Sequence, residues 1–338
     1  MKKTLIALAA VAATGAAFAQ SSVTLSGVID AGFEKRFSGD PFKMTPNRNG
    51  TSNWTLSGTE DLGGGLKANF SISTSFNSDD GTTAGNVLGN NGMFVGLTGG
   101  FGTVRMGRPV NTLYGNALLA NGTKGVSFYD ANAVLGGNAT ASAKVGGASS
   151  SVFVSNAIQY HSPRFGGVQV QVEYAPREVK GSGTADGFGL AVRYDEGPLA
   201  LSFVNYKGAD SNADGVKQKA VNQLAAAYDF GVARVLFTWR DQGGLPSNRD
   251  NSYALGVTAP VGPGSLYASY NVNEQPGTDG RTLIAGYKYN LSKRTQMYVN
   301  VANRNKAWLG GVPLPASNPG TMPNKSTTGF GFGLQHSF

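Results

Sequence analysis

Ser326-Thr327-Thr328-Gly329-Phe330-Gly331-Phe332-Gly333-Leu334-Gln335-His336-Ser337-Phe338 alternates in character along its length. In a strand, Phe330, Phe332, Leu334, His336 and Phe338 share one face, and Gly329, Gly331, Gly333, Gln335 and Ser337 share the other. One face is apolar and aromatic; the other is small and polar. Such a final strand would fray and aggregate in water. It makes sense where the aromatic face meets lipid and the strand pairs with the first one to close a barrel. For this stretch alone, the competing reading is the last strand of a soluble sandwich.

The same alternation runs through the chain. Val23, Leu25, Gly27, Ile29, Ala31 and Phe33 oppose Thr24, Ser26, Val28, Asp30, Gly32 and Glu34. In the run from Ser52 to Thr59, Trp54 and Leu56 point outward and Asn53, Thr55 and Ser57 inward. Glu60 to Gly65 reads as a tight turn, and the run Leu66 to Phe76 follows it. Further runs begin near Met93, Thr103, Asn156, Val168, Phe188, Leu199, Val221, Ala233, Ser252, Ser265, Thr282, Thr295 and Thr327, which makes sixteen. Short connections such as Gly99–Gly102, Asp195–Pro198 and Val261–Gly264 alternate with long ones such as Arg36–Gly50, Asp241–Asn251 and Lys306–Lys325. Tight turns on one side and long loops on the other are the wiring of an up-and-down transmembrane barrel, and an even strand count puts both ends on the periplasmic side. The predicted fold is therefore all-β: a 16-stranded antiparallel up-and-down transmembrane β-barrel around an aqueous channel.

Export is written at the start. Two lysines, an apolar run from Leu5 to Ala13 and Ala17-Phe18-Ala19 before Gln20 predict a signal peptide over residues 1–19. Residues 20–338 are then a single barrel domain. Without Lys2 and Lys3, 26 basic side chains face 20 acidic ones, a net charge of +6. The charges are scattered, and with export this argues against a nucleic-acid partner. No run approaches the ~20 apolar residues of a membrane helix. The negative mean hydropathy does not contradict a barrel, because only every second residue meets lipid. With no cysteine, neither disulfides nor thiolate chemistry is available.

One connection is exceptional. Residues 109–155 form a segment of 47 residues after the fifth run, and a loop of that length is commonly functional. Its first half carries the pairs Leu118-Leu119, Phe128-Tyr129 and Val134-Leu135, which suit packing against a wall; its second half is Gly, Ala and Ser. The expectation is that the first half folds into the lumen and narrows it.

Several stretches carry a family resemblance: Gln20 to Gly27 after the signal, Gly58 to Ala68, Phe101 to Arg108, Asn290 to Thr295 and the terminal Phe338. Together, and in order over the mature length, they resemble the general porins of β-proteobacteria, within the Gram-negative porin family. The resemblance implies a trimeric sixteen-stranded outer-membrane porin whose third external loop, here 109–155, is the inward constriction. It also implies passage of small hydrophilic solutes, in several members with a preference for anions. Anion-preferring relatives often carry arginine where this chain has Asn53 (with Ser57) and Asn91-Gly92, so part of the usual basic cluster is missing.

Selectivity in a wide pore comes from fixed charge near its narrowest part. Strand parity puts Arg36, Lys67, Arg105, Arg193, Arg234, Arg240, Lys288 and Arg304 on the lumen side, with Asp30, Glu34 and Glu173 as lumen acids. The long loop adds Lys124, Lys144 and Asp130. The pore-lining candidates are Arg105, Arg36, Lys67, Arg234, Arg304, Lys124, Asp130 and Glu34, with Arg105 foremost. The balance is positive, so a weak to moderate anion preference is expected. Asp210 to Gly215 imitates the opening of a calcium loop, but Val221 stands where its closing glutamate belongs. Asp79-Asp80 is a loop acid pair suited to a divalent ion or to lipopolysaccharide, or simply solvated. The two histidines, His161 and His336, have no nucleophile-and-acid arrangement around them, so no enzyme, metal or cofactor is expected. The expected partners are a homotrimer, the lipid bilayer with its lipopolysaccharide, and small hydrophilic solutes and ions. The alternative is a barrel acting mainly as a receptor or adhesin through its external loops.

Overall fold

The computed structural model describes residues 21–35, 41–46, 49–83, 87–117, 152–176, 186–208, 220–241, 251–274, 280–304 and 328–338. The signal segment 1–19 and residues 118–151 of the long connection lie outside the described residues. The strands are β1 (Ser22–Lys35), β2 (Lys43–Pro46), β3 (Asn53–Gly63), β4 (Leu66–Ser75), β5 (Met93–Gly99), β6 (Gly102–Arg108), β7 (Ala157–His161), β8 (Val168–Ala175) and β9 (Gly187–Glu196). They continue as β10 (Leu199–Lys207), β11 (Val221–Asp229), β12 (Arg234–Asp241), β13 (Asn251–Val261), β14 (Gly264–Asn273), β15 (Gly280–Asn290), β16 (Thr295–Arg304) and β17 (Thr328–Ser337). One helix, α1 (Thr112–Ala117), follows β6.

From β3 to β17 each strand pairs antiparallel with the next. The ring closes where β17 meets β1, from Val28 opposite Ser337 to Lys35 opposite Phe330. The last residue adds to the seam: Gly27 and Phe338 exchange both main-chain hydrogen bonds, each at 3.0 Å. Closure removes the edges that would otherwise template aggregation. This is the predicted barrel of sixteen strands, with one strand more.

The addition is β2, which the sequence hides inside the Arg36–Gly50 connection. Four residues are too few to show alternation, and Pro46 marks the segment's end. β3 pairs with β1 only over Ser22 to Val28, and β2 takes the same edge higher up, over Ala31 to Glu34. A second boundary also differs. Glu60 and Asp61 belong to the ladder, opposite Ala68 and Lys67, and the turn comes after them. Asp61 is in register with Lys67, and its Oδ1 accepts the Gly63 N–H of the turn at 2.9 Å. The turn needs backbone freedom: Gly63, Gly64 and Gly65 have φ of 84°, 60° and 80°, in open space.

The outer face is apolar. In β10, Leu201 and Phe203 are exposed while Ala200, Ser202, Val204 and Tyr206 are buried, and β1 and β17 expose Leu25, Ile29, Phe330 and Phe332. Near the long-loop end, Phe42 stacks on Phe33 at 5.5 Å and lies 6.2 Å from both Phe330 and Phe332. The inner face is mostly polar, as a membrane barrel requires. Glycines let large rings lie flat on it: a side chain at Gly32 or Gly333 would collide with the phenol of Tyr298.

Candidate functional site

The inner wall from β6 to β11 holds the densest functional chemistry among the described residues. Asn111 caps α1, its Oδ1 accepting from the Tyr114 N–H at 2.7 Å. The ends of the long connection are tied together: Asn111 N donates to Val152 O at 2.9 Å, and Val154 N to Pro109 O at 3.0 Å. From that base α1 packs on β8, β9, β10 and β11. Leu113 joins Ala191, Val204, Tyr206 and Val221 in one apolar cluster. These strand residues sit on the inward face, where parity leads one to expect polar side chains. They are the floor on which the helix rests.

The polar half of this dock is Glu173, 1% exposed. Its Oε2 accepts from Thr112 N at 2.8 Å, Thr112 Oγ1 at 3.0 Å and Gln159 Nε2 at 2.7 Å, and Tyr206 bonds to the same carboxylate. Asn116 Nδ2 donates to Gln171 Oε1 at 2.9 Å, and Gln223 Nε2 to Leu113 O at 3.3 Å. Glu173 is therefore the anchor of α1 rather than a carboxylate facing open water.

Asp30 is bound in a similar way at the closure seam. It receives Asn49 N and Tyr298 Oη, each at 2.7 Å, and Gln335 Nε2 at 3.3 Å. Residues 49–52 fold onto β1 through these bonds and through Asp30 N donating to Ser52 Oγ at 2.9 Å. Glu34, expected to line the pore, is fully buried. The three acids that parity assigns to the lumen are thus all enclosed.

Lys67, Arg105, Arg193, Arg234 and Lys288 are more accessible but spread out, while Arg240 is buried. Arg105 lies mid-strand in β6, its guanidinium 5.2 Å from the Phe94 ring centre and its Nη2 2.9 and 3.1 Å from the two ring nitrogens of His161. Its buried Nε has no hydrogen-bond partner. Lys67 is exposed at the short-turn end of β4, opposite Asp61. The Lys67 row runs through Thr98 and Thr103 to His161. Arg234 starts β12 opposite Asp229, near the same end. Arg304 closes β16 at the opposite end, in register with Thr282. Arg193 pairs with Asp195 at 3.0 Å, and Arg240 is buried against Gln223 at 2.6 and 3.0 Å. Lys288 Nζ lies 5.5 Å from the Tyr267 ring centre. Arg36, Lys124 and Asp130 lie outside the described residues. The expected set is therefore spread between the two rims, with Arg105 in the middle of its strand.

In the loop after β4, Asp80 accepts from Thr82 N at 2.8 Å and Thr82 Oγ1 at 2.7 Å. These bonds hold its carboxyl below the usual carboxylate range and make it a turn former. His161 and Glu173 are what sequence reasoning underrated. The signal for the dock was present in the apolar Ala191, Val204 and Val221 on a face otherwise polar.

The family model described as Gram-negative porin matches residues 4–306. The chain is 36% identical to outer membrane porin protein 32 of Delftia acidovorans, over 100% of both chains. It is 30% identical to a major outer membrane protein P.IB of Neisseria meningitidis serogroup B, again over 100% of both. Among solved structures it resembles an anion-selective porin from Comamonas acidovorans at 30% identity and a TM-score of 0.77, covering 94% of this chain and 100% of the other.

Proposed function

This chain belongs to the Gram-negative porin family and is an outer-membrane barrel; we propose that it forms a water-filled channel for passive diffusion of small hydrophilic solutes and ions, with a weak to moderate preference for anions. The observation that carries the reading is the unequal burial of inward charges. Asp30, Glu34 and Glu173 are at most 1% exposed, whereas Lys67 is exposed and Arg105 and Arg234 are half-buried. Burial keeps these carboxylates out of direct contact with a passing ion, whereas an accessible cation on the wall can meet an anion directly. The rim bases face acids, Lys67 opposite Asp61 and Arg234 opposite Asp229, which keeps the preference modest. The similar porin from Comamonas acidovorans is anion-selective, in keeping with this sign.

In this reading the 109–155 connection narrows the lumen, with α1 as its docked root. The functional unit is a homotrimer, with the outward faces of β1 and β17 in contact. Lipid and lipopolysaccharide surround the remaining outer face. The test is reconstitution in a planar bilayer under a potassium chloride gradient. Stepwise conductance in threes with a zero-current potential of the sign for chloride is expected. Potassium selectivity would overturn the charge assignment, and absence of conductance from folded protein would overturn the channel itself.

A further inference from the structure

His161 ends β7 on the inner wall, in register with Thr103 and Gln171. Its two ring nitrogens lie 3.1 and 2.9 Å from the same Arg105 nitrogen. One guanidinium nitrogen that meets both ring nitrogens at nearly equal distance lies over the ring rather than along either lone pair, so the two groups are stacked in contact. The opposite neighbour of Arg105 is the Phe94 ring, which holds the guanidinium against the histidine.

The charged groups around the ring are few. β6 contributes Arg105. β9 contributes Arg193, which is bonded to Asp195, and Arg164 from the connection after β7 reaches the same Asp195 at 3.7 Å. β8 contributes Glu173, higher on the wall and engaged by Thr112 and Gln159. Lys67 lies three strands away along the same register row. Among the described residues the ring lies against a cation, with its surrounding carboxylates engaged elsewhere. A proton taken up by His161 therefore adds charge to the lumen instead of completing a buried ion pair.

We propose that His161 is a proton-operated selectivity residue: on protonation it turns the single cation of the Arg105–His161 pair into two and strengthens the preference for anions as the surroundings acidify. An imidazole can gain a proton on acidification, and with the Arg105 and Arg193 cations beside it the response is sought down to pH 4.0. The inference rests on the channel reading above. A single added charge on the wall, screened by salt, is expected to raise the chloride-to-potassium permeability ratio roughly 1.5- to 2-fold.

The experiment measures zero-current potentials of the reconstituted protein from pH 7.5 to pH 4.0, for the wild type, His161→Gln and His161→Lys. Heat-modifiable electrophoretic mobility verifies that each variant is folded. The wild-type ratio is expected to rise on acidification beyond the rise in His161→Gln, which reports carboxylate protonation alone. His161→Lys is expected to show the raised ratio already at pH 7.5. Equal acid responses in the wild type and in folded His161→Gln overturn the proposal while leaving the channel intact. If neither variant folds, a wild-type potential that stays flat across the range overturns it equally. Wild-type protein without conductance refutes instead the channel reading beneath it.

Discussion

Replacing Glu173 by Gln should loosen α1 from the wall without changing the volume at the site. Three donors converge on the Glu173 Oε2: Thr112 N, Thr112 Oγ1 and Gln159 Nε2. A hydrogen bond to a charged group contributes about 1.5–3 kcal/mol, against about 1 kcal/mol for a neutral one. Neutralising the acceptor removes the charge assistance from all three, but the amide also costs less to bury. The net loss is about 2–4 kcal/mol. Each ~1.4 kcal/mol lost raises the undocked population of α1 tenfold, so this loss raises it about 30- to 900-fold.

Amide hydrogen exchange over residues 112–117 reads this population directly, because local opening governs exchange. Exchange in the Glu173→Gln variant should accelerate about 30- to 900-fold over that segment and stay unchanged in β13 to β16. Single-channel records should gain brief excursions to a different conductance as the root of the long connection lifts. Unchanged exchange in a folded variant would refute the idea that this carboxylate holds the helix. Acceleration spread around the whole barrel would instead assign Glu173 to global stability.

Leu113→Ala should accelerate exchange in the same segment, at a cost of about 2–4 kcal/mol for a large-to-small change in the apolar cluster. Arg105→Gln should lower the chloride-to-potassium permeability ratio at neutral pH by about 1.5- to 2-fold, read from the zero-current potential, with little change in single-channel conductance. Gly333→Leu, which drives a side chain into the Tyr298 phenol, should slow or abolish formation of the heat-modifiable barrel, and Tyr298→Phe should not relieve the clash. Tyr298→Phe alone removes one donor from buried Asp30 and should lower thermal stability by about 1–3 kcal/mol, measured as an earlier heat-induced mobility shift.

The outer surface was legible because lipid imposes a simple rule. One face must be apolar, so Phe330, Phe332 and Leu334 betray their strand, and most of the run starts read from sequence fall within a residue or two of the observed ones. Where that rule is silent, reading failed. β2 has four residues and shows no period, and its place was set by the open upper edge of β1. Glu60 and Asp61 looked like turn residues, and Asp61 does accept the Gly63 N–H of the turn at 2.9 Å, but the ladder runs on through both before the turn begins.

The inner wall obeys a weaker rule, because a polar side chain there can face water or serve as a bolt. Parity alone counted Asp30, Glu34 and Glu173 as lumen charge. Asp30 instead ties residues 49–52, Tyr298 and Gln335 to the closure seam, and Glu173 ties α1 to the wall. Both of those roles need partners distant in sequence: 268 residues separate Asp30 from Tyr298, and 61 separate Thr112 from Glu173. No local pattern encodes such a pairing. The same distinction bears on selectivity: an acid used as a bolt cannot meet a permeating ion directly, so selectivity depends on which charges the fold leaves accessible. Arg105, half-buried between Phe94 and His161 with an unpartnered Nε, is a wall cation with no carboxylate bound to it in the described residues.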